Sequence, residues 1–215
     1  MQLFDDIRTA EGHLFAKAWQ RWRGTDLVPR RSTVRTEDTA KILHMTTVLE
    51  VHSSEVVTFR LAGTSLCTAM GIELTGLNYL DFTTAEERGP RAARTRSLVD
   101  HPAGSYFVFP IVYRSGKLGA TEILSFPVLP DDPTAPPQIF GLSVPLEEMY
   151  LEGTVENPNY LPMPEGFQFI DIGAGVPDDD QNLAGRPKAI FHRKEAISGE
   201  PTSNDQASWP RAAHR

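Results

Sequence analysis

Six histidines, one cysteine and three groups of arginines are the residues of this chain whose types suit chemistry. His13, His44, His52, His101, His192 and His214 include no pair at the i, i+4 spacing that sets two metal ligands on one helix face, so a metal centre is not indicated. His101 stands alone before Pro102, at the end of a predicted helix. A lone histidine there suits an axial haem ligand, but a cationic side chain is favourable at a helix C-terminus without any ligand. Cys67 lies among small and apolar residues and reads as a buried, inert thiol. No serine elbow, phosphate loop or kinase signature occurs, and no spacing of Ser, His and Asp singles out a triad. The sequence names no cofactor.

The arginines carry more. Arg30, Arg31 and Arg35 sit in a loop with Pro29, either solvated or in contact with a carboxylate, which the guanidinium fork matches. Arg88, Arg91, Arg94 and Arg96 recur along a predicted helix, where a solvated face is the plain reading and an anionic ligand or partner the alternative. Arg60 and Glu73 are either an ion pair joining a strand to the following turn, or a site where Arg60 meets an acidic ligand.

The elements that must position these residues are legible from turns and runs. Leu3 to Arg23 reads as an amphipathic helix. Glu37 to Leu43 reads as a short helical segment capped by Thr36. His44 to Val51 and Val56 to Leu61 read as a hairpin around His52-Ser53-Ser54-Glu55. Gly63 stops the second strand, and Thr64 or Ser65 caps a short helix that ends at Gly71, where the left-handed position favours glycine. Gly76 marks a second turn. Thr84 with Glu87 is a capping box opening a longer helix to Val99, disturbed by Gly89-Pro90. Gly104 to Tyr113, Lys117 to Val128 and Gln138 to Leu146 are three more strands, the first apolar on both faces and so covered on both sides.

Two glycine blocks carry a resemblance. Phe59-Arg60-Leu61-Ala62-Gly63-Thr64 and Gly71-Ile72-Glu73-Leu74-Thr75-Gly76, with Trp22-Arg23-Gly24 and Val28-Pro29-Arg30 upstream, resemble a bacterial PAS-type domain family over roughly Trp19 to Leu146. The resemblance implies a PAS-like α+β fold: a five-stranded antiparallel sheet with helices on one face and an N-terminal flanking helix. It implies a sensory or regulatory role and brings no catalytic set. The cysteine motif of flavin-type light sensors is absent. In such folds a ligand lies between the sheet's inner face and the long helix, where the candidates are Leu98, Phe107, Phe109, Ile111, Leu124 and Phe126, with Arg60 as the charged candidate; a packed core without a ligand is the alternative. The stripe of Phe4, Ile7, Phe15, Trp19 and Trp22 on the first helix either covers the chain's own sheet or contacts a second copy, as flanking helices of PAS-like proteins often do. The second is the expectation taken here.

Composition bounds the rest. A formal net charge of −7 argues against nucleic acid as the main partner. A single cysteine excludes an internal disulfide. No apolar run is long enough to span a bilayer and no signal-peptide core opens the chain, which points to the cytoplasm. The expected organisation is a helix over residues 1–24, a PAS-like domain over 25–150 and a mostly disordered tail over 151–215, in which Gly166 to Ile172 alone has an apolar rhythm able to dock. The function expected is a non-enzymatic sensory module acting through a small molecule, a signalling partner or a homodimer. The alternative is a small α+β pocket enzyme of isomerase or hydrolase type, which requires an acid or base aimed into the pocket.

Overall fold

A computed structural model of the protein describes residues 4, 6–112, 118–146, 149–150, 165–177 and 192–193, without the side chains at 109–112, 118–119, 149–150, 165–166 and 192–193. The chain runs α1 (Ala10–Arg23), β1 (Thr46–Val51), β2 (Val57–Ala62), α2 (Thr64–Met70), α3 (Ala85–Asp100), β3 (Gly104–Val112), β4 (Leu118–Val128) and β5 (Gln138–Leu146). After these come β6 (Met149–Tyr150), β7 (Glu165–Ile170) and β8 (His192–Arg193), with 3-10 turns at Arg31–Thr33, Thr36–Met45 and Tyr79–Phe82. One antiparallel sheet has the order β2-β1-β5-β4-β3-β7, and β6 pairs with β8 apart from it.

The sheet thus has six strands where five were expected. The sixth, β7, pairs along the free edge of β3, with Gly104 opposite Ile170 and Ser105 opposite Phe169. An edge strand presents unpaired N–H and C=O groups, and an extended segment with alternating apolar residues satisfies them. The rest of the expected tail, 151–164 and 178–215 apart from β8, lies outside the described residues.

Each face of the sheet has its own cover. On one face α1 packs across β4 and β5. Trp19 stacks on Phe126 with ring centroids 4.8 Å apart, and its indole donates to the Pro127 carbonyl at 2.9 Å. Phe4 and Phe15 also meet the Phe126 ring, and Trp22 meets Phe140 edge-on. The five residues expected to contact a second copy are therefore turned onto the chain's own sheet: Phe15 and Trp19 are fully buried, Ile7 and Trp22 nearly so, and Phe4 packs against the same cluster. Beyond Ala10 at its start, the exposed positions of the helix are polar, His13, Lys17, Gln20 and Arg21. An amphipathic stripe looks the same whether its cover is a sheet or a partner; here an apolar sheet face of Leu124, Phe126, Phe140 and Leu142 was open to receive it.

The helix begins at Ala10, later than Leu3, because a side chain from the sheet fixes its start. Glu122 of β4 is fully buried on the α1 face. Its carboxylate accepts the Arg8 backbone N–H at 2.6 Å, the Thr9 N–H at 3.2 Å and the Thr9 hydroxyl. That hydroxyl in turn accepts from the Gly12 N–H at 2.9 Å. A carboxylate at a helix N-terminus satisfies orphan donors and complements the dipole. Gly12 falls in the first turn of the helix, where a Cβ would come within 2.9 Å of the Glu122 carboxylate. Burial, then the neighbouring Glu122 charge, pushes the Tyr106 phenol on this face up to about 12.

The opposite face is covered by α2, the Tyr79–Phe82 turn and α3, with Leu80, Ala92, Leu98 and Ile139 in its core. Thr84 caps α3 and accepts the Glu87 N–H, as the capping box predicts; the helix starts there and runs through Pro90. Gly71 is left-handed at the end of α2 and Gly76 has φ +88°. Gly63 is different. Its φ is −65°, and it is glycine because a Cβ would lie 2.3 Å from the His44 carbonyl oxygen. It is itself the N-cap of α2, without a side-chain cap from Thr64 or Ser65.

Two stability measurements follow. Trp19→Ala is expected to cost about 3–5 kcal/mol in urea unfolding, as large-to-small core changes do, without altering the sedimentation of the folded chain. Gly63→Ala is expected to cost about 3 kcal/mol or more, because the contact is with backbone, against about 1–2 kcal/mol for Gly76→Ala, where only the dihedral is strained.

Candidate functional site

Between the sheet and the α2–α3 cover lies a cavity of about 180 Å³. Strand alternation builds its floor. Thr47 of β1 pairs with Gly141 of β5, Gly141 with Ser125 of β4, and Ser125 with Ser105 of β3, so one transverse row of small residues crosses four strands. The next row is Ser143, Ile123 and Phe107. All seven line the cavity, as does Thr121. Small residues on an otherwise apolar sheet face leave the depth that large ones would fill. Gly141 admits no larger residue as things stand, since a Cβ there would meet the Thr47 hydroxyl at 2.6 Å.

The walls come from helix periodicity. Arg91, Arg94, Thr95 and Leu98 fall at i, i+3, i+4 and i+7 on one face of α3 and line the cavity together. From α2 come Ser65, Leu66 and Ala69. No residue of α2 is fully buried, so this helix roofs a hollow rather than a packed core. β7 supplies Phe167, whose ring stacks on Phe107 with centroids 5.5 Å apart.

The cationic groups divide by position. Arg88 donates to the Leu80 carbonyl at 2.8 Å and to Asp81 at 2.9 Å, tying α3 to the preceding turn. Arg96 pairs with Asp100 at 2.7 Å on the outside of the helix. Arg91 is buried and donates to the Tyr79 hydroxyl at 3.0 Å. Arg94 lies over the Phe167 ring, 4.5 Å from its centroid. The solvated face expected for this run is thus incomplete: a helix face is solvated only where nothing packs on it, and Arg91 and Arg94 lie on the face turned to the cavity.

Of the pocket residues expected from sequence, Leu98 and Phe107 line the cavity. Phe109 and Ile111 continue β3 opposite Thr121 and Gly119, but their side chains lie outside the described residues. Leu124 and Phe126 are on the other face, fully buried under α1. Both faces of β4 carry apolar residues, so apolarity alone does not phase the strand; the odd-numbered Thr121, Ile123 and Ser125 face the cavity. Arg60 is also outside it. It sits where the β1–β2 register shifts, exposed, and pairs with Glu50 at 3.6 Å; its neighbour Phe59 lines the cavity. Glu73 does not pair with Arg60. It accepts the Thr75 N–H at 3.0 Å, the main reason its exposed carboxyl titrates below the ordinary range. Cys67 is half-exposed, with its Sγ 3.7 Å from Glu73, because α2 packs loosely. His101 is exposed at the end of α3 and its Nε2 lies 2.9 Å from the Ala174 carbonyl.

The small-residue floor was missed, and the arginine run was not divided into its inward pair, Arg91 and Arg94, and the rest. The floor had a signal, the period-two placement of Thr121, Ser125, Gly141 and Ser143 in apolar strands. Among the described residues no aspartate, glutamate, histidine or cysteine lines the cavity, and no group of three or more metal-ligating side chains occurs. Thr121 is nearly fully buried, and its hydroxyl has no hydrogen-bond partner among the described residues.

A family model described as a PAS domain matches residues 8–144, the span from the start of α1 almost to the end of β5. No curated protein gives a significant match. Among solved structures, the chain is similar to a LOV protein of Rhodobacter sphaeroides, at 16% identity over 53% of this chain and 69% of that one, with a TM-score of 0.36. It is similar to the PAS domain of an HTR-like protein from Haloarcula marismortui, at 15% identity over 54% and 98%, with a TM-score of 0.34. It is also similar to VqmA of Vibrio cholerae, at 16% identity over 47% and 45%, with a TM-score of 0.35.

Thr121→Val tests whether the floor is built for stability. Replacing a buried hydroxyl that lacks a partner by a methyl group removes a desolvation cost. The variant is expected to unfold at the wild-type urea concentration or higher, by up to about 1 kcal/mol; a clear loss of stability would show that the hydroxyl is satisfied inside the fold.

Proposed function

The chain belongs to the PAS domain family, and on that premise we propose that it is a sensory module whose input is a small molecule held in the cavity between the sheet and α3. The observation that carries this reading is the cavity itself: about 180 Å³, largely apolar, with Thr121 at its floor offering a hydroxyl that has no partner among the described residues. Sites for small ligands have this character, an apolar hollow with few polar groups that set orientation.

Binding is favoured over catalysis by the lining. A pocket enzyme needs an acid or base directed at its substrate, and among the described residues the cavity presents hydroxyls and guanidinium groups in place of carboxylates or imidazoles. The output is a change at the surface. Filling the hollow orders α2, which now buries none of its residues. β4 carries Thr121 and Ile123 into the cavity and Glu122, between them, to the start of α1, so α1 is the second element placed to respond. The reader of that change is a signalling protein or a second copy; a second copy would bind elsewhere than the apolar stripe of α1, which the sheet occupies.

Native mass spectrometry and amide hydrogen exchange on the full chain test this. The freshly purified protein is expected to carry a non-covalent small molecule, and stripping it is expected to speed exchange over Thr64–Met70 while leaving the centre of β4 protected. A ligand-free preparation that gains no protection with any member of a metabolite library would remove the reading.

A further inference from the structure

Buried hydroxyls need partners. Those of Thr46 and Thr95 donate to the backbone carbonyls of Ile42 and Arg91, at 3.0 and 2.8 Å. Those of Thr83, Tyr106 and Thr121 have no partner among the described residues. Of these three, Thr121 alone lines the cavity, and it is 4% exposed. The strand register explains its state. Thr121 stands opposite Phe109 of β3 and Pro145 of β5, residue types without a polar side-chain atom. A hydroxyl held in this way carries a desolvation cost, which a ligand that hydrogen-bonds to it offsets. The walls suit a flat apolar body. Phe59 and Tyr79 meet edge-on at one side, with ring centroids 5.7 Å apart. Phe107 and Phe167 stack at the β3–β7 side, with centroids 5.5 Å apart. All four rings line the cavity, and its floor of small residues runs from β1 to β3. Such walls offer a further ring the edge and face contacts that aromatic groups prefer. An apolar cavity of about 150 Å³ takes up benzene, so about 180 Å³ suits one six-membered ring with a short substituent.

We propose that the cavity takes a single aromatic ring bearing a hydrogen-bonding group of the phenol kind, with that group on the Thr121 hydroxyl and the ring on the floor of small residues between the two aromatic pairs. Thr121 is then the residue that selects among ring-sized ligands. This rests on the reading of the chain as a small-molecule sensor and names the ligand class.

Titration calorimetry of the full chain, stripped of any bound molecule, with phenol and toluene tests it. The two probes share a ring and differ by a hydroxyl in place of a methyl group. A purely apolar hollow prefers toluene, because the phenol hydroxyl would lose its water without a replacement. Here phenol is expected to bind about fivefold more tightly than toluene, the effect of one net hydrogen bond. Thr121→Val keeps the shape of the side chain and is expected to reverse the order. Thr121→Ser keeps the hydroxyl and is expected to keep the preference. Thr83→Val removes a buried hydroxyl that does not line the cavity and is expected to leave the preference as it is. Thr121→Ala removes the hydroxyl without adding a methyl group, and it decides the case if Thr121→Val does not fold. Toluene binding as tightly as phenol, a preference that survives the loss of the Thr121 hydroxyl, or failure of phenol to bind overturns the inference. None of these results removes the sensor reading, which stands or falls on the mass and exchange measurements: a molecule without an aromatic ring found in the purified protein would retain the sensor and reject this ligand class.

Discussion

The stacking of Trp19 on Phe126 is the contact on which the rest of the structure depends. It joins the first helix to the middle of the sheet across more than a hundred residues of chain, and the indole's hydrogen bond to Pro127 sets the ring's depth. Around it Phe15, Leu124 and Leu142 close one face of the sheet with no exposed surface. Two large aromatic residues buried in this way contribute several kcal/mol of apolar transfer and contact energy, on the order of 3–6 together. With one face packed to this degree, the sheet does not need a dense core on the other, and that face is where the hollow lies.

β4 is therefore read from both sides. Thr121, Ile123 and Ser125 look into the cavity, while Glu122, Leu124 and Phe126 look toward α1. Apolar contacts give the helix its adhesion, but they do not fix where it starts. The buried Glu122 does, because a carboxylate without donors would be costly in the core, and the amides of Arg8 and Thr9 and the Thr9 hydroxyl donate to it. The same strand thus holds the anchor of the flanking helix one residue away from the cavity floor. β7 completes the site from the other direction: it covers the β3 edge and carries Phe167 onto Phe107.

Most of the secondary structure was legible in the chain itself. The five strands of the central hairpins, the capping box of α3 and the left-handed glycines at 71 and 76 follow from local chemistry, namely β-branched runs, a side chain able to accept an N–H, and a backbone angle that Cβ forbids. The family resemblance rested on those same glycines. What local patterns did not contain was contact. Gly63 looked like a conformational glycine and is a steric one, pressed against His44. Arg60 looked like a partner of Glu73 or a contact to an acidic ligand, and is an exposed cross-strand partner of Glu50.

The sequence by itself determined which residues form the first five strands, where α3 begins by its capping box, and that the chain has the PAS-type order of elements. These depend on neighbours a few residues apart, whose interactions are present before the chain folds. Only the tertiary structure decided which side of β4 is hollow, which arginines of α3 enter the cavity, and that the aromatic stripe of α1 meets the chain's own sheet. Each of these is a choice between two faces of an element apolar or charged on both, and such a choice is made by what packs against it from a distant part of the chain.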